Sequence, residues 1–258
     1  MKKNISLIIL VVLVSFRINS QGQGPLDNLV VIIDPPHGGK DYGTNGYLAE
    51  NKLIINESSY CYDIALRVEI MLKNEGALVF KTLYNKMYQE PIYDRPNEVI
   101  MPEQMEVFSF DGSEIKNDTL GLSKRTSFGN QKLKEYPGYK VVYISIHFDN
   151  LPSNYKGARI IKGNNSDSLS NCLTEEFQKR NLLSKQLVPV IKNGDKKNGI
   201  KNLYVLKDLN RVPEKVLIEL GNIKNGDDLN ILKNPYGREF YAITITRALE
   251  KYMNKGKN

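Results

Sequence analysis

Apolar and polar positions along this chain follow two alternating periods. Short apolar runs of strand length are separated by longer stretches whose apolar residues recur at helical spacing. Strands are predicted at residues 30–33, 77–82, 141–146, 157–161 and 215–220. Helices are predicted from the cap Asn56 to about residue 74, at 123–135, 167–183 and about 227–232, and from Pro235 onward behind the cap Asn234. This order is typical of an α/β fold: a single domain with a mostly parallel twisted sheet and helices on both faces.

The regular pattern lapses at about residues 85–121. This stretch contains Pro91, Pro96 and Pro102 among several acidic residues, and proline interrupts both helices and central strands. We therefore expect an inserted loop or hairpin outside the main sheet. Insertions of this length often border or cover a site, although a surface excursion without function explains the pattern equally well.

The first residues have the pattern of a secretory signal. Two lysines precede an apolar run from Ile5 to Phe16, and small or polar residues follow up to Ser20, the expected last residue of the signal. The run is short for a membrane span, so a cleaved signal at 1–20 is favoured over an uncleaved anchor. The predicted location is the periplasm or cell envelope, or the extracellular space, and the folded domain is expected at 28–256.

The charge balance and the cysteines limit partners and cross-links. The formal net charge of +7 falls to +4 when the three basic residues of the signal leave, which is too little to indicate nucleic acid as a partner. Two cysteines allow at most one disulfide. Cys61 lies in a strongly helical stretch, where a buried thiol is expected, and whether it pairs with Cys172 stays open.

Only two histidines occur in the chain, each at the end of a predicted strand. His37 follows the first strand in Asp-Pro-Pro-His-Gly-Gly, and His147 ends the strand Val-Val-Tyr-Ile-Ser-Ile-His. Side chains at the carboxyl ends of parallel strands converge on one crevice, and imidazole is a common metal ligand. We therefore predict a zinc site, although either histidine alone is better explained as a hydrogen-bonded core residue.

A third ligand has to be chosen between two glutamates. A catalytic zinc ion commonly takes a carboxylate beside two imidazoles. Glu57 is expected in the first turn of the helix after the glycine-rich loop, a rigid position aimed at the strand ends, and is favoured. Glu50 lies in loop sequence and would have to be fixed by neighbours that are not evident.

Glu219 interrupts the otherwise apolar strand at 215–220. Burying an unpartnered charge there is costly, so a function or a cation is expected, and the alternative is a salt bridge to a lysine. A carboxylate facing the metal can take a proton from water and pass it to a leaving amine, which amide hydrolysis requires. Glu219 is therefore the predicted catalytic acid/base.

The motifs and their order resemble the zinc-dependent N-acetylmuramoyl-L-alanine amidases, the type 3 amidase family of cell-wall hydrolases. Four or five motifs in the family order are a specific signal, far more so than a single His-Gly-Gly. The matching segments cover nearly the whole mature chain; they are 32–41, Glu57 with 63–66, 122–125 with Asn130, 145–147 with Asn150, and 216–221 with Asn225.

The resemblance implies a peptidoglycan hydrolase with one Zn²⁺. The bond cleaved would be the amide between the lactyl group of N-acetylmuramic acid and the L-alanine of the stem peptide. The spacing of Glu57 to 63–66 fits the family helix without a gap, whereas Glu50 needs a gap but lies nearer the usual distance from the histidine. The family's three zinc ligands and its catalytic acid/base map to His37, Glu57, His147 and Glu219.

Other residues in or beside these motifs have less definite expectations. Arg125 and Asn150 are expected to orient substrate or to have a structural role, and for Arg125 bracing of the sheet is favoured. The chain departs from the family pattern at Pro36, Asp149 and Asn222, which flank the expected cleft and bear on substrate preference.

Two other functions are compatible with the same residues. One is a zinc carboxypeptidase or another metallopeptidase, which would leave shortened stem peptides. The other is a non-catalytic cell-wall-binding protein of the same fold, against which the retention of all four site residues argues. No wall-binding module is visible in the sequence, and an unidentified protein activator stays open.

Overall fold

The computed structural model describes residues 24–47, 54–93, 106–116 and 119–255. In chain order, the strands are β1 (Leu29–Asp34), β2 (Asn45–Tyr47), β3 (Ile54–Asn56), β4 (Leu78–Lys81), β5 (Leu83–Asn85), β6 (Glu106–Phe108), β7 (Lys140–Asp149), β8 (Arg159–Lys162), β9 (Val190–Lys192) and β10 (Glu214–Asn222). The helices are α1 (Glu57–Asn74), α2 (Thr119–Glu135), α3 (Asp167–Lys179), α4 (Gly226–Lys233) and α5 (Pro235–Lys255), with 3₁₀ turns at Lys196–Asn198 and Tyr204–Leu206.

The main sheet has six strands in the order β4-β1-β7-β10-β8-β9. Each neighbouring pair is parallel except β10 and β8, which are antiparallel. The strands β2 and β3 form a separate antiparallel pair, as do β5 and β6. The predicted fold class, a mostly parallel sheet with helices on both faces, is confirmed.

Helices cover both faces of the sheet because its central strands are apolar on both sides. On β1, Val31 and Ile33 join the buried cluster formed with α1, α3 and α5. The intervening Val30 and Ile32 join a second cluster with Phe128 of α2. Successive side chains of a strand point to opposite faces, so the continuous apolar run of β1 requires a helix layer on each side.

The periodicity located the five helices and five of the six strands of the main sheet. The strands that it missed, β2, β3, β5, β6 and β9, have three residues each, which is too short to show a period. Helix α3 was expected to reach residue 183 but ends at Lys179. The chain leaves the helix at Asn181, whose φ is +54°, and Leu182 O then accepts a hydrogen bond from Ala158 N.

Both predicted helix starts are confirmed by their caps. The side chain of Asn56 accepts a hydrogen bond from Ser59 N at the start of α1. Asn234 does the same for Tyr236 N, and Pro235 is the first residue of α5. These side chains satisfy backbone donors that have no partner inside the helix.

Some of the predicted features lie outside the described residues, whereas the state of the two cysteines is visible in the structure. The signal predicted at 1–20, residues 94–105 and 117–118 of the insertion, and Glu50 lie outside the described residues. Cys61 and Cys172 are free buried thiols and do not pair. Within the described ranges, no helix is both long and apolar enough to cross a membrane.

A buried ion network fastens α1, α5 and the start of the insertion together. Asp63 Oδ2 accepts hydrogen bonds from Arg67 Nε at 2.8 Å and from Arg238 Nε at 2.6 Å. Its Oδ1 accepts one from Ile92 N at 2.5 Å, and Arg67 also pairs with Glu239. The side chains of Asp63, Arg67 and Arg238 are almost fully inaccessible to solvent, so these charges depend on one another for stabilisation.

We expect Asp63→Ala to lower the free energy of unfolding by about 3–5 kcal/mol, because it removes the carboxylate that two buried guanidinium groups share. Urea denaturation of the purified chain measures this. The matched control is Glu239→Ala at the exposed edge of the same network, for which a loss of at most about 1 kcal/mol is expected. Equal losses in the two variants would contradict the central role of Asp63.

Candidate metal centre

Parallel pairing brings the ends of β1, β7 and β10 to one edge of the sheet. Glu219 on β10 lies opposite His147 on β7, and Asp34 on β1 lies opposite Ser145. Side chains of cross-strand partners project from the same face. The predicted acid/base and one predicted ligand therefore adjoin each other, and His37 follows the end of β1 at the same edge.

The loop carrying His37 has an unusual backbone that Arg125 holds in place. His37 has a φ of +55°, in the left-handed region that few non-glycine residues adopt. From α2, Arg125 donates to Pro35 O at 2.5 Å and to His37 O at 2.6 Å. It also pairs with Asp34 at 2.8 Å. Arg125, for which the sequence favoured bracing of the sheet, thus ties α2 to the end of β1 and to the loop of His37.

Asp34, which was not predicted as a site residue, anchors this brace. Its buried carboxylate accepts hydrogen bonds from Thr82 Oγ1 at 2.6 Å and Ser145 Oγ at 2.7 Å. Burial alone would raise the pKa of Asp34, but the charge of Arg125 and these hydrogen bonds lower it. An aspartate at the end of a buried apolar strand was the available signal, because such a group needs partners.

The carboxylate of Glu57 lies between the two imidazoles. Its Oε2 is 3.2 Å from His37 Nε2, and its Oε1 is 3.1 Å from His147 Nδ1. The backbone N–H groups of Thr44 and Phe148 donate to the same two oxygens. Burial opposes ionisation of Glu57, but the hydrogen bonds to His147 and His37 outweigh it and hold the pKa well below its usual range.

These three side chains have the composition and spacing of a metal site. The two imidazole rings have centroids 5.7 Å apart, and one ligand atom from each of His37, Glu57 and His147 lies within 4.8 Å of the others. Two imidazoles and one carboxylate form a common donor set for a catalytic zinc ion, which leaves a position for water or substrate. The structure thus brings together the three predicted ligands beside an open cleft of about 620 Å³.

Asp41 orients His37 from the side away from Glu57. Its Oδ2 lies 2.8 Å from His37 Nδ1, so that Nε2 faces Glu57. A carboxylate on the outer nitrogen of a ligating imidazole fixes the ring and raises its basicity. Burial by itself lowers the pKa of His37, but Asp41 and Glu57 outweigh it and raise the pKa to about 9. Asp41 had no predicted role, and its spacing of four residues from His37 was the available signal.

Gly43 allows the loop to pass close to the metal ligands. A Cβ at this position would lie 2.5 Å from His37 Cδ2 and 2.8 Å from Glu57 Oε2, and φ is +66°. Glycine is the residue that tolerates both this conformation and this approach. The loop between β1 and α1 is therefore shaped around the two side chains.

Glu219 has an oxygen without a protein partner. Its Oε2 is buried and makes no hydrogen bond within the described part of the chain. Burial and the negative charges of Asp149 and Glu57 raise the pKa of Glu219 well above its usual value. The alternative role in a salt bridge to a lysine is not found among the described residues. A buried oxygen of this kind is expected where a ligand supplies the missing partner.

Asp149 pairs with the arginine that lies opposite Glu219. Arg159 lies opposite Glu219 across β10 and β8. Its guanidinium, however, makes a bidentate pair with Asp149, Nε to Oδ2 at 2.7 Å and Nη2 to Oδ1 at 2.5 Å. The departure from the family pattern at Asp149 thus has a structural consequence: Arg159 is engaged, and Glu219 keeps a free oxygen.

The remaining predicted positions differ in where they lie. Asn150 is exposed directly after β7. Asn222 is buried, and its side chain donates to Pro152 O at 3.0 Å and to Tyr155 O at 2.9 Å. Asn222 therefore shapes the loop that follows β7, while the Pro36 ring lines the cleft.

The inserted segment contacts the metal-binding loop. Glu106 Oε2 accepts a hydrogen bond from Gly39 N at 3.0 Å, and Oε1 accepts one from Asn85 Nδ2 at 2.8 Å. Ile115 and Lys116, near the end of the segment, line the cleft. The insertion was expected either to border a site or to be a surface excursion without function, and these contacts agree with the first interpretation. The sequence carried no signal for the role of Glu106.

The fold is a mostly parallel α/β sheet, and its site groups two imidazoles and a carboxylate at the spacing of a metal-binding triad. The family model described as N-acetylmuramoyl-L-alanine amidase matches residues 31–251. The chain therefore belongs to the N-acetylmuramoyl-L-alanine amidase family.

Similar proteins agree with this family. An uncharacterised cell wall amidase of Bacillus anthracis is 30% identical over 241 residues, which cover 90% of this chain and 37% of that protein. The probable cell wall amidase LytH of Staphylococcus aureus is 25% identical over 238 residues, 92% of this chain and 62% of LytH. The chain thus spans less than two thirds of either relative.

Solved structures share the fold. The amidase Ami1 of Mycobacterium smegmatis matches with a TM-score of 0.62 at 17% identity and covers 89% of this chain and 99% of its own. The amidase CwlD of Clostridioides difficile, solved in complex with the GerS lipoprotein, matches with a TM-score of 0.59 at 22% identity, covering 88% of this chain and 98% of its own.

We expect divalent-metal binding to release about one proton at neutral pH, because His37 must lose the proton that its raised pKa of about 9 retains. The proton competes with the metal below that pKa, so the apparent affinity should rise by about tenfold per pH unit up to about pH 9. Calorimetric titration in buffers of different ionisation enthalpy counts the proton. Asp41→Asn should reduce the release, and binding without proton release in the unchanged chain would contradict the assignment.

Proposed function

We propose that this chain hydrolyses the amide bond between the lactyl group of N-acetylmuramic acid and the L-alanine of the peptidoglycan stem peptide. The observation that carries this proposal is the grouping of His37, Glu57 and His147 beside the unpaired Oε2 of Glu219. Family membership supplies the substrate class.

The proposed cofactor is one zinc ion held by His37, Glu57 and His147. The donor set fits, because one anionic carboxylate and two imidazoles suit this metal, and Asp41 orients the ring of His37 from outside the cluster. When bound, zinc supplies a Lewis acid that polarises the amide carbonyl and lowers the pKa of water.

Glu219 is the proposed acid/base. Its Oε2 takes a proton from the attacking water as the new bond from oxygen to the carbonyl carbon forms. The same proton then passes to the departing nitrogen as the carbon–nitrogen bond breaks, which leaves a lactyl carboxylic acid and a peptide with a free amino terminus. Burial and the charges of Asp149 and Glu57 raise the pKa of Glu219, which makes it a stronger base near neutral pH.

Other residues hold the reacting groups in place. Arg125 and Asp34 fix the loop of His37, so that its ring does not have to reorient during the reaction. Asp149 binds the guanidinium of Arg159, which forms no ion pair with Glu219 within the described residues. Preorganisation of this kind lowers the cost of reaching the transition state.

Digestion of purified peptidoglycan by the unchanged chain and by Glu219→Gln tests the proposal. We expect intact stem peptides with free amino-terminal alanine from the unchanged chain, and a rate lower by a factor of about 10² or more from the variant. Metal analysis should find about one zinc ion in both. Glu214→Gln is the matched control on the same strand, because Glu214 accepts a hydrogen bond from Leu169 N away from the site.

The products distinguish the alternatives. Shortened stem peptides would contradict the proposal and indicate a metallopeptidase activity. Zinc binding without any released product would replace it by a wall-binding function of the same fold. Undiminished activity of Glu219→Gln would remove Glu219 from its proposed role.

We also propose that the chain is exported to the periplasm or cell envelope, on the basis of the signal pattern at residues 1–20. When the full-length chain is expressed in a bacterial host, cell fractionation should recover it outside the cytoplasm as a product cleaved near Ser20. A chain without residues 1–20 should stay in the cytoplasm, and equal distribution of the two would contradict the signal.

A further inference from the structure

A second cavity adjoins the metal centre. It is an open groove of about 1410 Å³ between α2 and the loop at residues 204–211, hereafter the side groove. Tyr204 lines both the side groove and the cleft at His37 and His147. The two cavities therefore meet at Tyr204.

Three basic side chains line the side groove without carboxylate partners. Within the described ranges, Lys134, Lys207 and Arg211 take part in none of the ion pairs of the structure. The acidic residue of the lining is Asp208, whose Oδ1 accepts a hydrogen bond from Asn164 Nδ2. The side groove thus carries an excess of positive charge.

The neighbouring Lys132, two residues before Lys134, pairs with Glu135 at 2.6 Å. Lysines without an ion pair also occur elsewhere among the described residues. What distinguishes Lys134, Lys207 and Arg211 is that they line one concave surface. Unpaired cations grouped in a concave surface attract anionic groups.

The loop that forms one wall of the side groove is held rigidly. Asn130 on α2 donates to Leu209 O at 2.8 Å and accepts from Arg211 N at 2.7 Å. The buried side chain of Asn210 donates to Val205 O, and the Lys215 ammonium donates to Asn210 O at 2.8 Å. A wall fixed in this way loses little conformational entropy when a ligand binds.

We propose that the side groove binds the peptide portion of the substrate through its free carboxylate groups, with Lys134, Lys207 and Arg211 as the recognition residues. This rests on the proposed function. In the substrate of that reaction, the lactyl carboxyl group forms the amide bond and carries no charge, whereas the peptide still carries at least its C-terminal carboxylate. The positive groove therefore complements the peptide side of the scissile bond.

The side groove also has an apolar wall that suits peptide side chains. Phe110 is 46% exposed and Leu209 is 60% exposed, and both line it. Lys207 Nζ lies 5.3 Å from the centre of the Tyr204 ring at the junction with the cleft. Apolar contacts beside charged groups allow a peptide to be held by its side chains while its carboxylate is neutralised.

The test compares two soluble muramoyl-peptides that differ only in a free C-terminal carboxylate or a carboxamide. The groove variant is the triple substitution Lys134→Gln, Lys207→Gln, Arg211→Gln in the full chain. The control variant has the same charge change on α1 and α5, which cover the opposite face of the sheet; it is Lys73→Gln, Arg247→Gln, Lys251→Gln.

We expect the preference in kcat/KM for the free carboxylate to fall by a factor on the order of ten in the groove variant, mainly through KM. The control variant should retain the preference. Raising the salt concentration should weaken the preference of the unchanged chain, because exposed charges are screened. An unchanged preference in the groove variant, or an equal loss on both substrates, would overturn the proposal.

A binding measurement separates this proposal from the proposed function. Calorimetry measures the binding of the free peptide, with a C-terminal carboxylate or a carboxamide, and requires no turnover. The two proteins compared are Glu219→Gln and Glu219→Gln combined with the groove variant. Weaker carboxylate binding in the combined variant supports the side groove even if neither muramoyl-peptide is hydrolysed. Equal binding by the two variants overturns it even if the amidase reaction occurs.

Discussion

The parallel pairing of β1, β7 and β10 is the constraint on which the site depends. The register places Glu219 opposite His147 and ends β1 at the same edge, next to His37. A shift of one residue between β7 and β10 would turn Glu219 to the other face, because successive side chains alternate. The two apolar clusters that sandwich these strands fix the register, so burial of the core also positions the metal centre.

Polar contacts hold the site residues that the strand register brings to one edge of the sheet. Glu57 reaches the strand ends from α1 and is held by two backbone donors as well as by both imidazoles. Arg125 stabilises the left-handed backbone at His37 by binding the carbonyl groups around it. The three predicted ligand side chains are thus held together by contacts within the protein itself.

Among the described residues, the distribution of charge leaves Oε2 of Glu219 without a partner. Arg125 is engaged by Asp34, and Arg159 is engaged by Asp149, so neither cation pairs with Glu219. A buried carboxylate without a cation costs stability, and such costs are characteristic of functional sites. The same principle applies in the side groove with the opposite sign, because its basic groups have no acidic partner in the part of the chain that the structure describes.

The sequence by itself determined the fold class, the five helices and the residues His37, His147 and Glu219 as candidates. These follow from local patterns: apolar periods mark the elements, and a lone polar residue at the end of an apolar strand is visible without a structure. Only the tertiary structure decided that Glu57 meets both imidazoles, that Asp41 and Asp34 support the loop of His37, and that Asp149 engages Arg159. Glu106 and the side groove were likewise invisible, because their partners are distant along the chain. Local periodicity fixes which face a side chain occupies, whereas its hydrogen-bond partner depends on which elements the folded chain brings within about 3 Å.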